Sequence, residues 1–232
     1  MVLGVTDNFE PSFENYVQWI RRVVPVAQIV KLSGTTGNIN KLPQCDGIIL
    51  TGGGDVHPRF YGREEVLDLM KDLNEARDEF EFTVVRQALK HEISILGVCR
   101  GLQVFNVVMG GSLIPDVQKS GYDDHSKGSR GHRTHSIMVQ RGTILHSIVG
   151  ADRVEVNTSH HQAVDHIGRG LQVSARSEDG LIECMEWESP DEQAFVQLVQ
   201  WHPERMQNTE SPASRGILQR FVQQIEEIRK TV

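Results

Sequence analysis

A chain of 232 residues suits one large domain or two very small ones, and length alone leans towards a single domain spanning 1–232. Its formal net charge of −7, carried by scattered rather than clustered residues, argues against binding to nucleic acid or to an anionic membrane. No apolar run approaches bilayer-spanning length, and Asp7 interrupts the N-terminus before a signal-length apolar core forms, so the cytoplasm is the expected location.

Short β-branched runs alternate with helical patterns along the first half. Val2 to Val5 reads as a first strand, and Phe13 to Val24 as a helix with Tyr16, Ile20 and Val23 on one face. Ala27 to Val30 and Gly47 to Leu50 read as strands, the latter continuously apolar and therefore buried on both faces. Ala76 to His91 has a helical period, with Phe80, Val84 and Leu89 inward and Glu79, Glu81, Arg86 and Lys90 outward. Ile93 to Val98 is another buried strand, and Gly101 to Met109 another helix. This alternation predicts an α/β protein with a parallel sheet covered on both sides. From His135 the character changes. His135 to Val139, Arg153 to Val156, Leu171 to Ala175, Leu181 to Trp187 and Phe195 to Gln200 are strand-like, before Ser214 to Ile228 closes the chain as an amphipathic helix. The Gly121 to Arg133 stretch reads as an exposed loop near the site rather than a domain boundary.

Three cysteines, Cys45, Cys99 and Cys184, form neither a disulfide framework nor a zinc pattern, which fits a reducing compartment. Cys45 and Cys184 sit in apolar contexts and read as structural. Cys99 differs. It ends a buried strand and starts a helix, between Gly97 and Gly101, in the manner of a nucleophile elbow with a thiol in place of a hydroxyl. A helix N-terminus favours thiolate over thiol, and flanking glycines relieve crowding at a sharp turn.

Two further segments also follow predicted strands, where doubly wound sheets place their ligands. In Trp201-His202-Pro203-Glu204, the proline forces His202 into extended backbone, so His202 and Glu204 point to the same side. A carboxylate holding an imidazole is the base-plus-orienter pair that a cysteine nucleophile needs. Leu50 to Val56 carries the run Gly52-Gly53-Gly54, whose backbone N–H groups are expected to form one half of an oxyanion hole, with the Arg100 N–H as the other. A phosphate loop is the rival reading, but no Gly-Lys-Ser/Thr follows the glycines.

Taken together, Gly97 to Gln103, Thr51 to Val56 and Gln200 to Glu204 resemble the class I glutamine amidotransferases. Within that superfamily the γ-glutamyl-γ-aminobutyrate hydrolase-like branch, the peptidase C26 group, is the most similar. Gly53 to Pro58 with Tyr61, Arg77-Asp78, Gly110 to Leu113, Val156 to Gln162 and Ala175 to Gly180 carry that likeness in family order. The segment before the third strand is short for this branch, and Asn74-Glu75 replaces its usual Asp-Pro.

The resemblance implies a flavodoxin-like, doubly wound, mostly parallel sheet with helices on both faces and a β-rich C-terminal half. It implies nucleophile, base and orienter roles for Cys99, His202 and Glu204, and places Gln103, His160 and Gln162 near the substrate. The implied activity is cysteine-dependent hydrolysis of γ-glutamyl amides through a γ-glutamyl thioester. Two alternatives stand beside it: a glutaminase subunit feeding ammonia to a separate synthase, and a non-catalytic sensor on the same fold. A homodimer is compatible with the sequence.

No cofactor is expected, since triad chemistry needs none. His125, His132 and His135, or His160, His161 and His166, form the candidate metal groupings. Neither has a carboxylate or cysteine at the usual spacing, so no metal site is expected. His125 and His132 are assigned to a solvated loop and His135 to the start of a strand.

Overall fold

The computed structural model describes residues 1–8, 12–128, 133–190 and 194–231. Strands β1 (Val2–Thr6), β2 (Gln28–Leu32), β3 (Gly47–Leu50) and β4 (Ser94–Val98) pair in parallel, and β11 (Val196–Val199) joins β4 in the same sense. From β11 the sheet continues antiparallel through β10 (Ile182–Trp187), β9 (Leu171–Ser177), β6 (Arg133–Val139) and β7 (Arg153–Thr158). The full order is β2-β1-β3-β4-β11-β10-β9-β6-β7, so of the strands in the helix-poor second half β6, β7, β9 and β10 pair antiparallel, while β11 returns to the parallel half.

Every residue of β3 and β4 is buried because helices cover both faces. The strand period of two sorts the side chains between two cores. Ile49, Leu96 and Val98 pack with Tyr16 and Ile20 of α1 (Ser12–Val23) and with Phe221 and Ile225 of α5 (Ile217–Thr231). On the opposite face, Ile48, Leu50 and Ile95 meet Val84 and Val85 of α2 (Glu75–Lys90) and Leu102 and Phe105 of α3 (Arg100–Val108). Trp187 and Trp201 are core residues, 2% and 0% exposed.

Boundaries shift where local chemistry decides them. Asn74 accepts the Arg77 N–H at 3.0 Å and so caps α2 ahead of the predicted start. A π-helical turn over Pro212–Gly216 precedes α5. The short helix α4 (Ile144–Val149) and the two-residue pair β5 (Leu113–Ile114) and β8 (Ala163–Val164) escaped the sequence pattern, being too brief to display a period.

One side chain overturns its expectation. Glu81, assigned to the outer face of α2, is fully buried and paired with Arg77 and Arg100. A carboxylate tolerates that position only because two guanidiniums meet it there.

Candidate active site

Cys99 stands between β4 and α3 as the N-cap of the helix, with φ 51° and ψ −103°. That conformation is disfavoured for any residue with a Cβ, and the surroundings enforce it. A Cβ on Gly101 would lie 2.4 Å from the Leu50 carbonyl oxygen, and one on Gly97 would lie 3.0 Å from the Gly101 carbonyl. The strand and helix therefore approach more closely than any other residue pair would allow. The Cys99 N–H is fixed by the Val199 carbonyl at 2.7 Å, which ties the elbow to the neighbouring strand.

The end of that strand carries His202 and Glu204. Pro203 keeps His202 out of the helical region, but at φ −111° and ψ 86° the backbone is not the extended one expected, and Pro203–Arg205 form a 3-10 turn that brings Glu204 back to the imidazole. Its Nδ1–H donates to Glu204 Oε1 at 2.8 Å. Both residues are buried. Burial opposes charge on the imidazole, but the Glu204 carboxylate and the Cys99 sulfur outweigh it and lift His202 to about 9. Burial likewise works against the Glu204 carboxylate, and His202 prevails in holding it below the usual range.

The glycine turn lies against this pair. A Cβ on Gly52 would come 2.8 Å from His202 Cε1 and 3.6 Å from Cys99 Cβ. The Gly52 N–H donates to the Tyr16 hydroxyl at 2.8 Å, so it is already committed, and the expectation of a Gly52 oxyanion donor needs correction. Among the described residues, the Gly53 and Arg100 N–H groups have no such acceptor. A buried ion network holds the turn in place. Arg77 Nη2 donates to the Gly52 carbonyl at 2.9 Å and to Thr51 Oγ1 at 3.0 Å, while its Nε donates to Glu81 Oε1 at 2.9 Å. Glu81 and Asp78 also hold the Arg100 side chain. Burial would raise the Glu81 carboxyl, but Arg100 and Arg77 bring it down.

Gln103 lies just inside α3, with Nε2 donating to the Gln162 carbonyl at 2.9 Å and to Gln200 Oε1 at 3.1 Å. Gln200 in turn directs Nε2 at Cys99 Sγ, 3.5 Å away. Gln162 uses its side chain to clamp the segment after the glycine turn: Oε1 accepts the Val56 N–H at 2.9 Å, and Nε2 donates to the Tyr61 hydroxyl at 3.1 Å. His160 donates from Nδ1 to the Gln162 carbonyl at 2.9 Å and directs Nε2 at Glu183 Oε1, 3.5 Å away. Both its nitrogens face protein groups. Cys45 and Cys184 are buried, and burial pushes both thiols up, Cys45 to about 11.

The candidate metal groupings separate. His161 pairs with Asp55 at 2.9 Å and Asp116 at 3.2 Å, His166 is exposed beside Asp165, and His132 lies outside the described residues. His125 is not solvated but buried, with Nε2 on Asp179 Oδ2 at 3.0 Å. His125 and His135 converge with Glu183, and ligand atoms of the three lie within 4.8 Å of one another. The carboxylate that spacing did not supply comes from β10.

A family profile described as Peptidase C26 matches residues 6–204. The chain belongs to the peptidase C26 family. Protein NtpR of Enterococcus hirae is 35% identical over 234 residues, covering 96% of this chain and 95% of that protein. The γ-glutamyl-γ-aminobutyrate hydrolase PuuD of Escherichia coli is 31% identical over 190 residues, covering 78% and 72%. In fold, the chain resembles the glutaminase domain of Trypanosoma brucei CTPS with bound acivicin, at a TM-score of 0.69, 14% identity, and 98% and 94% coverage. The peptidase C26 chain is therefore a glutamine amidotransferase-like protein with the class I amidotransferase fold.

Three residues around this C26 site escaped the sequence reading. Tyr16 looked like one more member of the apolar face of α1. Asn157, which holds the His202 backbone, and Gln200, beside Cys99, sat inside recognised motifs without a role. Their position next to the histidine segment and at a strand end was the available signal.

Proposed function

We propose that this C26 protein hydrolyses γ-glutamyl amides, with Cys99 as nucleophile, His202 as acid and base, and Glu204 as its orienting carboxylate. The observation that carries the reading is the cysteine on a strained elbow beside an imidazole whose Nδ1 is bonded to Glu204 at 2.8 Å. The Cys99 sulfur attacks the γ-carbonyl carbon, forming a C–S bond and moving the carbonyl electron pair onto oxygen. The N–H groups of Gly53 and Arg100 receive that oxyanion, and each such donor is worth about 3–4 kcal/mol. Collapse breaks the C–N bond, and His202 gives its proton to the departing amine. Water then attacks the thioester, His202 takes a proton, and glutamate leaves as the thiolate is restored.

The likeness to a named γ-glutamyl-γ-aminobutyrate hydrolase supports a free-standing hydrolase ahead of a glutaminase subunit. The test is glutamate release from glutamine and a panel of γ-glutamyl amines by the purified chain alone. Release that vanishes in Cys99→Ala supports the proposal. Release retained in that variant removes the nucleophile assignment, and no release from any substrate transfers the function to a partner-dependent glutaminase.

A further inference from the structure

We propose that His125, His135 and Glu183 form a divalent transition-metal site, best matched to zinc, separate from the Cys99 centre. The three come from the loop before β6, from β6 and from β10, so the sheet rather than local spacing assembles them. His125 Nδ1 is 3.8 Å and His135 Nε2 is 3.6 Å from Glu183 Oε1, and His160 Nε2 approaches the same oxygen at 3.5 Å. These separations exceed the usual N–H···O range of about 2.7–3.2 Å. Two ligands bound about 2.0–2.2 Å from one tetrahedral ion stand about 3.3–3.6 Å apart. The histidine–Glu183 separations approach that range, and the set as a whole, within 4.8 Å, would draw closer around an ion.

The protonation pattern points the same way. Asp179 accepts from His125 Nε2 at 3.0 Å, and the Gln162 carbonyl accepts from His160 Nδ1 at 2.9 Å. The first contact places a proton on His125 Nε2 and leaves Nδ1 facing Thr158 Oγ1 at 3.3 Å and Glu183, and the second places one on His160 Nδ1 and leaves Nε2 facing Glu183. Glu183 is fully buried, and both its carboxylate oxygens lack a hydrogen-bond partner, as do His135 Nε2 and His160 Nε2. A buried carboxylate without a bonded partner, faced by imidazole nitrogens, calls for positive charge among them, and a bound cation supplies it. A carboxylate behind a ligating histidine, as Asp179 stands behind His125, is the usual outer support of a metal ligand. A cavity of about 210 Å³ bordered by Asp124, His125, His135, Thr158 and Asp179 gives an ion access.

Imidazole nitrogen with one carboxylate oxygen suits zinc better than calcium or magnesium, which prefer oxygen alone. Such an ion would rivet the antiparallel half of the sheet to the loop before it. The Glu183 carbonyl also accepts the Gln200 N–H at 2.8 Å, so the rivet would adjoin the residue beside Cys99.

The test uses metal-free full-length protein titrated with Zn²⁺ by calorimetry and with Co²⁺ by visible absorption. Expected are one saturable equivalent, the d–d bands of tetrahedral cobalt, and a Tm that rises with Zn²⁺ and falls with chelator. His135→Ala should lose the stoichiometric binding. Asp179→Asn, which leaves all ligands in place, should bind about 10–100-fold more weakly. His166→Ala, at the surface, should bind as the parent does. No saturable binding by the parent, or equal binding by His135→Ala, overturns the proposal and leaves a cluster held together by protons alone. None of these readouts depends on turnover.

Discussion

Asn157 grips the backbone of His202 from both sides. Its Oδ1 accepts the His202 N–H at 2.8 Å, and its Nδ2 donates to the His202 carbonyl at 2.9 Å. The amide thus mimics a strand partner at the point where β11 has ended, and carries its order onward to the imidazole.

Replacing Asn157 by Ala removes both bonds without touching the reactive atoms. Misplacement of a catalytic group by about 1 Å costs about 100-fold in rate, so kcat should fall by that order while KM changes little. Steady-state kinetics on a γ-glutamyl amide checks this. An unchanged kcat would show that Pro203 and Glu204 suffice to place the ring.

Much of this site is legible in the sequence because its chemistry is local. Cys99 lies at a strand–helix junction between glycines, and His202 and Glu204 are separated only by a proline. What was hidden depended on partners distant along the chain. Glu81 follows the helical period of an exposed residue, and only the arrival of Arg77 and Arg100 makes burial tolerable. Glu183 joins His125 and His135 through β6, β9 and β10, a neighbourhood that no ligand-spacing rule contains.

The proton on His202 should set the upper pH limit of activity. Its folded value of about 9 lies above the ordinary 6.5, because Glu204 and Cys99 outweigh burial. The stability this provides is full below pH 6.5 and is lost as the pH rises through 9. The same proton goes to the departing amine in the proposed mechanism. The kcat/KM profile should therefore decline with an apparent pKa near 9. A decline already complete by pH 7.5, about one unit above the ordinary imidazole value, would contradict the role of Glu204.

Cys99 trades stability for position. A non-glycine residue in its backbone conformation costs about 1–3 kcal/mol. Cys99→Gly relieves that strain and Cys99→Ala does not. Both should be inactive, but the glycine variant should be more stable than the alanine variant by about 1 kcal/mol, or about 2–4 °C in Tm. Thermal unfolding of the pair decides it, and equal Tm values would remove strain from the account.

The Arg77–Glu81–Arg100–Asp78 network should be costly to break. Removing one member leaves a buried charge without its partner, a loss of about 3–5 kcal/mol. Glu81→Ala should lower the free energy of unfolding by that amount in a denaturant titration. It should also lower kcat, because Arg77 holds the Gly52 carbonyl and Arg100 begins α3. A loss below about 1 kcal/mol would mean that water replaces the carboxylate readily.

β4 and β11 are parallel neighbours in register, with Val98 beside Val199. Cys99 is one step beyond the first strand and His202 three beyond the second, so the sulfur and the imidazole leave the ends of adjacent rails. The lateral offset of the two rails is the interstrand spacing of about 4.8 Å, a dimension that side-chain substitutions in the surrounding cores do not reset. Drift elsewhere in the chain can therefore remodel the walls of the pocket while the gauge between the two rails stays constant.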